Sequence, residues 1–167
     1  MIKDSNIHWT CLEDSWFNSC KIENTTFDSV NLTRSMFSSA SLKDVDFREV
    51  WMESITFKSY LFPEKINTVI SNCNFKACIL VNASFEENID MTDVDFKLCE
   101  LDRANFGKGI FNDSCSMRSC TDSDMVIDIK NPNQGSRKEI IWELEFGRPM
   151  WGFEMEAHLP HGPYSHW

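Results

Sequence analysis

Three histidines near the C-terminus, His158, His161 and His166, fall within nine residues and offer imidazoles to a metal ion. Pro160 separates the first two, and the surrounding segment has neither a periodic element to hold the rings nor an evident second shell to orient them. No metal site is assigned there. The fourth histidine, His8, stands alone. Two cysteine pairs, Cys73/Cys78 and Cys115/Cys120, are each five apart, a spacing whose meaning depends on the element that carries them. The sequence contains no glycine-rich phosphate loop and no nucleophile elbow. Carboxylates are dense at Glu86, Glu87, Asp90, Asp93, Asp95, Glu100 and Asp102, as are serines throughout, but neither set forms an acid–base or nucleophile constellation. The expectation is no catalytic residue, no cofactor and no metal, with function carried by the surface.

The positioning element is a period of five. Ile7, Leu12, Phe17, Ile22, Phe27, Leu32, Phe37, Leu42, Phe47, Met52, Phe57 and Phe62 are all large and apolar in a chain that is 42% apolar. Independent draws give that run about three times in a hundred thousand, so the period is real. Two residues before each stands a second, mostly small column that includes Ser5, Thr10, Cys20, Val30, Ala40 and Val45. The remaining positions are mainly polar. Neither 3.6 nor 2 fits a strict five. A chain that turns a corner every five residues and stacks its coils does fit, because each short side then finds backbone partners in the next coil.

Units such as Val30-Asn31-Leu32-Thr33-Arg34, Val45-Asp46-Phe47-Arg48-Glu49, Val94-Asp95-Phe96-Lys97-Leu98 and Ala104-Asn105-Phe106-Gly107-Lys108 resemble the pentapeptide-repeat family over roughly residues 5–127. The resemblance implies an all-β fold, a right-handed quadrilateral β-helix with four repeats per coil, so that residues twenty apart stack. The sequence tests that number on its own. At twenty, Phe17, Phe37 and Phe57 form one ladder and Phe27 and Phe47 the opposite one, while Asp14 meets Arg34, Glu23 meets Lys43 and Asp28 meets Arg48.

Along the chain, residues 1–6 read as a lead-in covering the open first coil. The solenoid then spans 1–128, about twenty-three repeats or six coils, with a loop near 63–69 where Phe62 and the next centre, Ile70, are eight apart. One-residue slips follow near Asn88–Ile89 and before Met117. Asp122 falls at an inward position, and a buried carboxylate is costly, so regularity is expected to fail around 115–128. Residues 129–136 read as a linker. In 137–167, the capping box Ser136-Arg137-Lys138-Glu139 and the shared face of Ile140, Ile141 and Leu144 predict a short helix, with a strand as the alternative. An irregular tail follows, either a clamp over the last coil or a segment without fixed order.

A net charge of −10 argues against direct nucleic-acid binding and against an acidic partner. The start lacks a signal peptide, and no run reaches membrane-spanning length. Seven cysteines are an odd number, and all but Cys11 fall in the small inward column. They read as free buried thiols in a reducing compartment, the bacterial cytoplasm or a host cell.

Among outward positions the large apolar residues stand out: Trp16 and Met36, twenty apart and expected as an exposed stacked pair, with Trp9, Trp51 and Leu61 on other sides. The family resemblance implies two classes of function, and a structural or adhesive role is a third. One class is a β-helix of bacterial effectors that docks a partner protein, with Trp9, Trp16, Met36 and Trp51 as the anchors here. The other is the quinolone-resistance type, an acidic DNA mimic that binds a type II topoisomerase. For that class the belt of Glu86, Glu87, Asp90, Asp93 and Asp95 would act, with a homodimer formed through Ile140, Ile141 and Leu144. The uneven spread of charge favours docking.

Overall fold

A strand of two or three residues cannot satisfy its own backbone, so its neighbours decide whether it exists. The computed structural model describes residues 1–59, 66–86, 88–107, 115–121 and 123–127, and among them every strand pairs in parallel with strands a whole coil away. One sheet stacks Ile2–Lys3 and Asn6–His8, Lys21–Asp28, Ser41–Arg48, Val69–Lys76, Asp90–Lys97 and Ser116–Arg118. The other stacks Trp16–Asn18, Met36–Ser38, Thr56–Lys58, Ser84–Phe85, Asn105–Phe106 and Val126–Ile127. Single bridges link Cys11, Asn31, Trp51, Ile79, Glu100 and Thr121 in a third series. The result is a four-sided β-solenoid. Its sides are numbered here by their inward centres: side 1 has Ile7 and Phe27, side 2 Leu12 and Leu32, side 3 Phe17 and Phe37, side 4 Ile22 and Leu42. No helix occurs among the described residues; the linker 129–136, the helix expected over 137–146 and the tail lie outside them.

The corners explain the five. At Asp14, Asn24, Arg34, Asp44, Asn72, Asn82 and Asp93, each two residues beyond a centre, φ lies between 47 and 57. That left-handed turn is least costly for Asn and Asp among non-glycine residues. The small column then closes the turn from inside. Ser5, Thr10 and Thr25 each donate a hydroxyl hydrogen bond to the carbonyl two residues back, at 2.8 Å. Cys73 does the same with its thiol to Ser71 at 3.2 Å.

Inside, side 1 stacks Phe27, Phe47, Phe75 and Phe96, and side 3 stacks Phe17, Phe37, Phe57, Phe85 and Phe106, with centroids 4.5–5.1 Å apart. Phe96 meets Phe85 and Phe106 edge-on across the interior at 6.0 and 5.7 Å. Each stacked pair contributes about 0.5–1.5 kcal/mol beyond its burial. Leu32, Met52, Leu80 and Leu101 fill side 2, and Ile22, Leu42, Ile70 and Met91 fill side 4.

The register steps by twenty (Ile22 on Leu42), then by twenty-eight (Leu42 on Ile70), then by twenty-one (Phe75 on Phe96, Phe96 on Met117). The extra eight residues fall between Lys58, which ends a strand on side 3, and Val69, which opens the next on side 4. Their flanks are pinned: Ser39 Oγ donates to the Ile66 carbonyl at 3.0 Å, Thr68 N to Ser59 Oγ at 2.8 Å, and Thr68 Oγ1 to the Lys58 carbonyl.

Two expectations are corrected. Residues 1–6 do not cover the first coil; they begin it. Ile2 pairs with Ile22 and Lys3 with Glu23, because the apolar period extends one step further back than Ile7. With nothing among the described residues stacked beyond them, Ile2, Ile7, Leu12 and Phe17 are only partly buried. Nor does regularity fail at the described residues of 115–127; Asp122 itself lies outside them. Ser116–Arg118 pairs with Asp95–Lys97, and Val126–Ile127 with Asn105–Phe106. Ser123 N and Thr121 Oγ1 both donate to the Asp102 carboxylate, at 2.7 and 2.9 Å, which holds the last described coil in place.

Candidate functional site

In a solenoid whose inward positions are filled, outward side chains are what a partner meets. Trp16 lies on Met36 in register on side 3, and Thr56 continues that column. Trp16 is 74% exposed, whereas Met36 is half-buried rather than exposed. The difference is positional: Met36 has an in-register neighbour on both sides, and Trp16, on the first coil, has only one. Trp9 is 84% exposed at the corner between sides 1 and 2 and takes a left-handed φ of 50. Trp51 is 46% exposed on side 2. The structure therefore separates these candidate anchors, with Trp16 and Met36 on side 3 and Trp9 and Trp51 at side 2 or its leading corner. Leu61 lies outside the described residues.

Two further apolar residues join Trp51. Ile79 bridges it in the next coil, and Leu98 is 52% exposed at the corner one coil beyond Ala77. Counting by twenty hides both, because the two insertions shift the register between Trp51 and Leu98. Restarting the count at each break would have found them.

The acidic residues do not gather. Glu86 lies on side 3, Asp90 and Asp93 on side 4 and its corner, and Asp95 on side 1. Glu87 lies outside the described residues. Asn67 donates to Asp90 at 3.0 Å, Arg118 forms an ion pair with Asp95 at 2.5 Å, and Asp93 stacks on Asn72. Among the described residues, a belt that winds round the rod in this way presents no continuous acidic stripe.

Of the predicted cross-coil charge pairs, Arg34 grips Asp14 through two hydrogen bonds of 2.8 Å and also reaches Glu13 at 2.6 Å. This hydrogen bonding holds the Asp14 carboxyl below the ordinary carboxylate range. Glu23 stacks on Lys43, but its closest cation is Lys21, at 2.7 Å, whose hydrogen bond lowers the Glu23 carboxyl. Asp28 stacks on Arg48, yet Arg48 turns to Asp46 on its own strand at 2.7 Å. Pairs of this exposure contribute little to stability.

All seven cysteines carry free thiols. Cys73, Cys78, Cys99 and Cys115 are buried and Cys11 is exposed, while Cys20 and Cys120, placed inward by the period, are half-buried near the ends of the described rod. Cys78, Cys99 and Cys120 stack in one column, since Glu100 N donates to the Cys78 carbonyl and Thr121 N to that of Cys99, both at 3.0 Å. The Cys120 thiol is raised by its contact with Cys99 and then by burial, and burial pushes Cys73 up to about 12. Thiols so shifted are poor nucleophiles. Among the described residues no group of three or more His, Cys, Asp or Glu is arranged to hold a metal ion; His158, His161 and His166 lie outside them. No helix among the described residues is long and apolar enough to cross a membrane.

The family model for pentapeptide repeats matches in eight copies over residues 17–50 and 69–107. No curated protein matches the chain. Among solved structures, HetL, a protein involved in heterocyst differentiation regulation in the cyanobacterium Nostoc sp. strain PCC 7120, is similar at 10% identity and a TM-score of 0.32. The match covers 75% of this chain and 63% of HetL. QnrB1, a plasmid-mediated fluoroquinolone resistance protein, is similar at 13% identity over 85% of this chain and 87% of its own, with a TM-score of 0.27. Rfr23 of the cyanobacterium Cyanothece 51142 is 12% identical over 75% of this chain and 90% of its own, with a TM-score of 0.29.

Proposed function

This chain is a pentapeptide-repeat protein, and we propose that it is a non-enzymatic docking module that binds a partner protein through its outer sides. One observation carries the reading: Trp16, on a solenoid whose core is already filled, holds its indole 74% exposed in a column that continues as Met36 and Thr56. A tryptophan there adds nothing to the core, and exposed Trp beside Met suits a protein interface. The DNA-mimic alternative draws support from the net charge of −10. It draws none from the distribution, since the described acids wind round the rod.

The test is a photo-crosslinking amino acid placed at position 16, with position 71 on side 4 as control, in cells that carry the protein. We expect one protein adduct from position 16 and none from position 71. Once that partner is in hand, Trp16→Ala should weaken its binding by about 2 kcal/mol or more while leaving thermal stability nearly unchanged. Equal crosslinking from both positions, or binding indifferent to Trp16→Ala, rejects side 3 as the docking surface.

A further inference from the structure

Among the described residues this acidic protein has one basic line. On side 1, the outward position after each inward centre holds Arg48, Lys76, Lys97 and Arg118, paired in register on four consecutive coils. All four are exposed. The two arginines at the ends are held by carboxylates of the same side, Arg48 by Asp46 at 2.7 Å and Arg118 by Asp95 at 2.5 Å. Among the described residues no ion pair holds Lys76 or Lys97. Like charges directly opposite on neighbouring strands are destabilising, so folding does not explain the column.

The corner beside it is equally unexplained by folding. It turns through the left-handed region at Ala77 (φ 53) and Leu98 (φ 57), where Asn or Asp would be the cheaper choice. Leu98 nonetheless stands 52% exposed there, and the next outward column, on side 2, carries Trp51 and Ile79. Beside Arg48, Lys76 and Lys97 there stand, coil by coil, Trp51, then Ala77 and Ile79, then Leu98, with Glu49 at the corner of the first of these coils and Glu100 on side 2 of the third.

We propose that this strip docks an acidic amphipathic helix of a partner protein, its carboxylates on the four cations and its adjoining apolar side chains over Leu98, Ile79 and Trp51. The spacing supports a helix. The cations repeat every ~4.8 Å along the rod, and a helix returns one face about every 5.4 Å. Over three intervals the mismatch is about 2 Å, within the reach of lysine and arginine. Nucleic acid suits the strip poorly, because an evenly charged phosphate backbone must also meet Asp46 and Asp95 on the side and exposed Glu49 and Glu100 beside it, whereas a helix can set neutral residues opposite them.

This inference rests on the docking reading but uses different residues from Trp16 and Met36. The probe is a fluorescein-labelled designed helix of about 18 residues with Glu on one face and Leu beside it, titrated against the full chain by anisotropy. A Glu→Gln version of the peptide and a DNA duplex serve as the other arms. We expect the Glu peptide alone to bind, and raising salt from about 50 to 300 mM to weaken it severalfold. Lys76→Glu/Lys97→Glu should weaken it at least about tenfold, the milder Lys76→Gln/Lys97→Gln pair less, and Leu98→Asn also, while Trp16→Ala leaves it unchanged. No binding up to about 1 mM, equal binding of the Gln peptide, insensitivity to both lysine pairs, or preference for the duplex overturns it. Failure here with an intact Trp16-dependent partner leaves the proposed function standing; loss of both removes the docking reading altogether.

Discussion

At the scale of the residue, a side chain's place within the five-residue unit was legible and its place along the rod was not. The period put six cysteines inward, and the column is right for all of them. Cys20 and Cys120, however, lie near the ends of the described rod, and their burial is incomplete. Met36 shows the reverse, an outward residue half-covered because coils stack on both sides of it. These differences should appear in thiol chemistry. In native protein near pH 8, an aromatic disulfide reagent should modify Cys11 first. Cys73, whose thiol burial holds at about 12, should react only as the protein unfolds. Mass mapping of the first label onto Cys73 or Cys99 would mean that the register is misplaced.

At the scale of the element, the corner is the unit that sequence reading undervalued. Alternating Phe and aliphatic centres announced the sides, and the stacked Asp14–Arg34 pair announced four of them. The breaks at 63–69 and 88–89 were legible too, because the apolar count restarts after each. What a fixed step of twenty could not reveal is which outward residues share a column after those breaks, so the line from Arg48 to Arg118 and the pairing of Trp51 with Ile79 stayed hidden. Corner chemistry gives a stability prediction. Leu98 takes φ 57 with 52% of its surface exposed, so Leu98→Asn relieves left-handed strain and gives up little burial. Unfolding in urea should show a gain of about 0.5–1 kcal/mol. A loss of similar size would place Leu98 in the core.

At the scale of the whole molecule, net charge proved a poor guide to any one side: a chain of −10 carries a four-coil line of cations. Asp122 lies outside the described residues, and the strands on either side of it, 116–118 and 126–127, keep their pairing with the neighbouring coil. The open first coil gives a further prediction. Its amides bond only forward, Asp4 N to the Glu23 carbonyl and Trp9 N to that of Asp28, over centres that are half-buried. In hydrogen exchange these amides should be at least about a hundredfold less protected than those of Leu32 and Met52, which lie in the filled interior. Uniform protection from end to end would show that the first coil is covered in solution.

The short step between coils also sets how the chain finds its fold. β-proteins fold slowly when strands must meet across long stretches of chain. Here Ile22 meets Leu42 and Phe75 meets Phe96, so these ladder contacts close loops of roughly an eighth of the chain. Adding coils would lengthen the rod without lengthening that search. Assembly can begin at any pair of adjacent coils and grow outward by accretion, like a zipper with many starting points. The step of twenty-eight, through the loop after Ser59, is the longest closure in the described ladder and sits near its middle. It is the natural seam at which growth from either side must join.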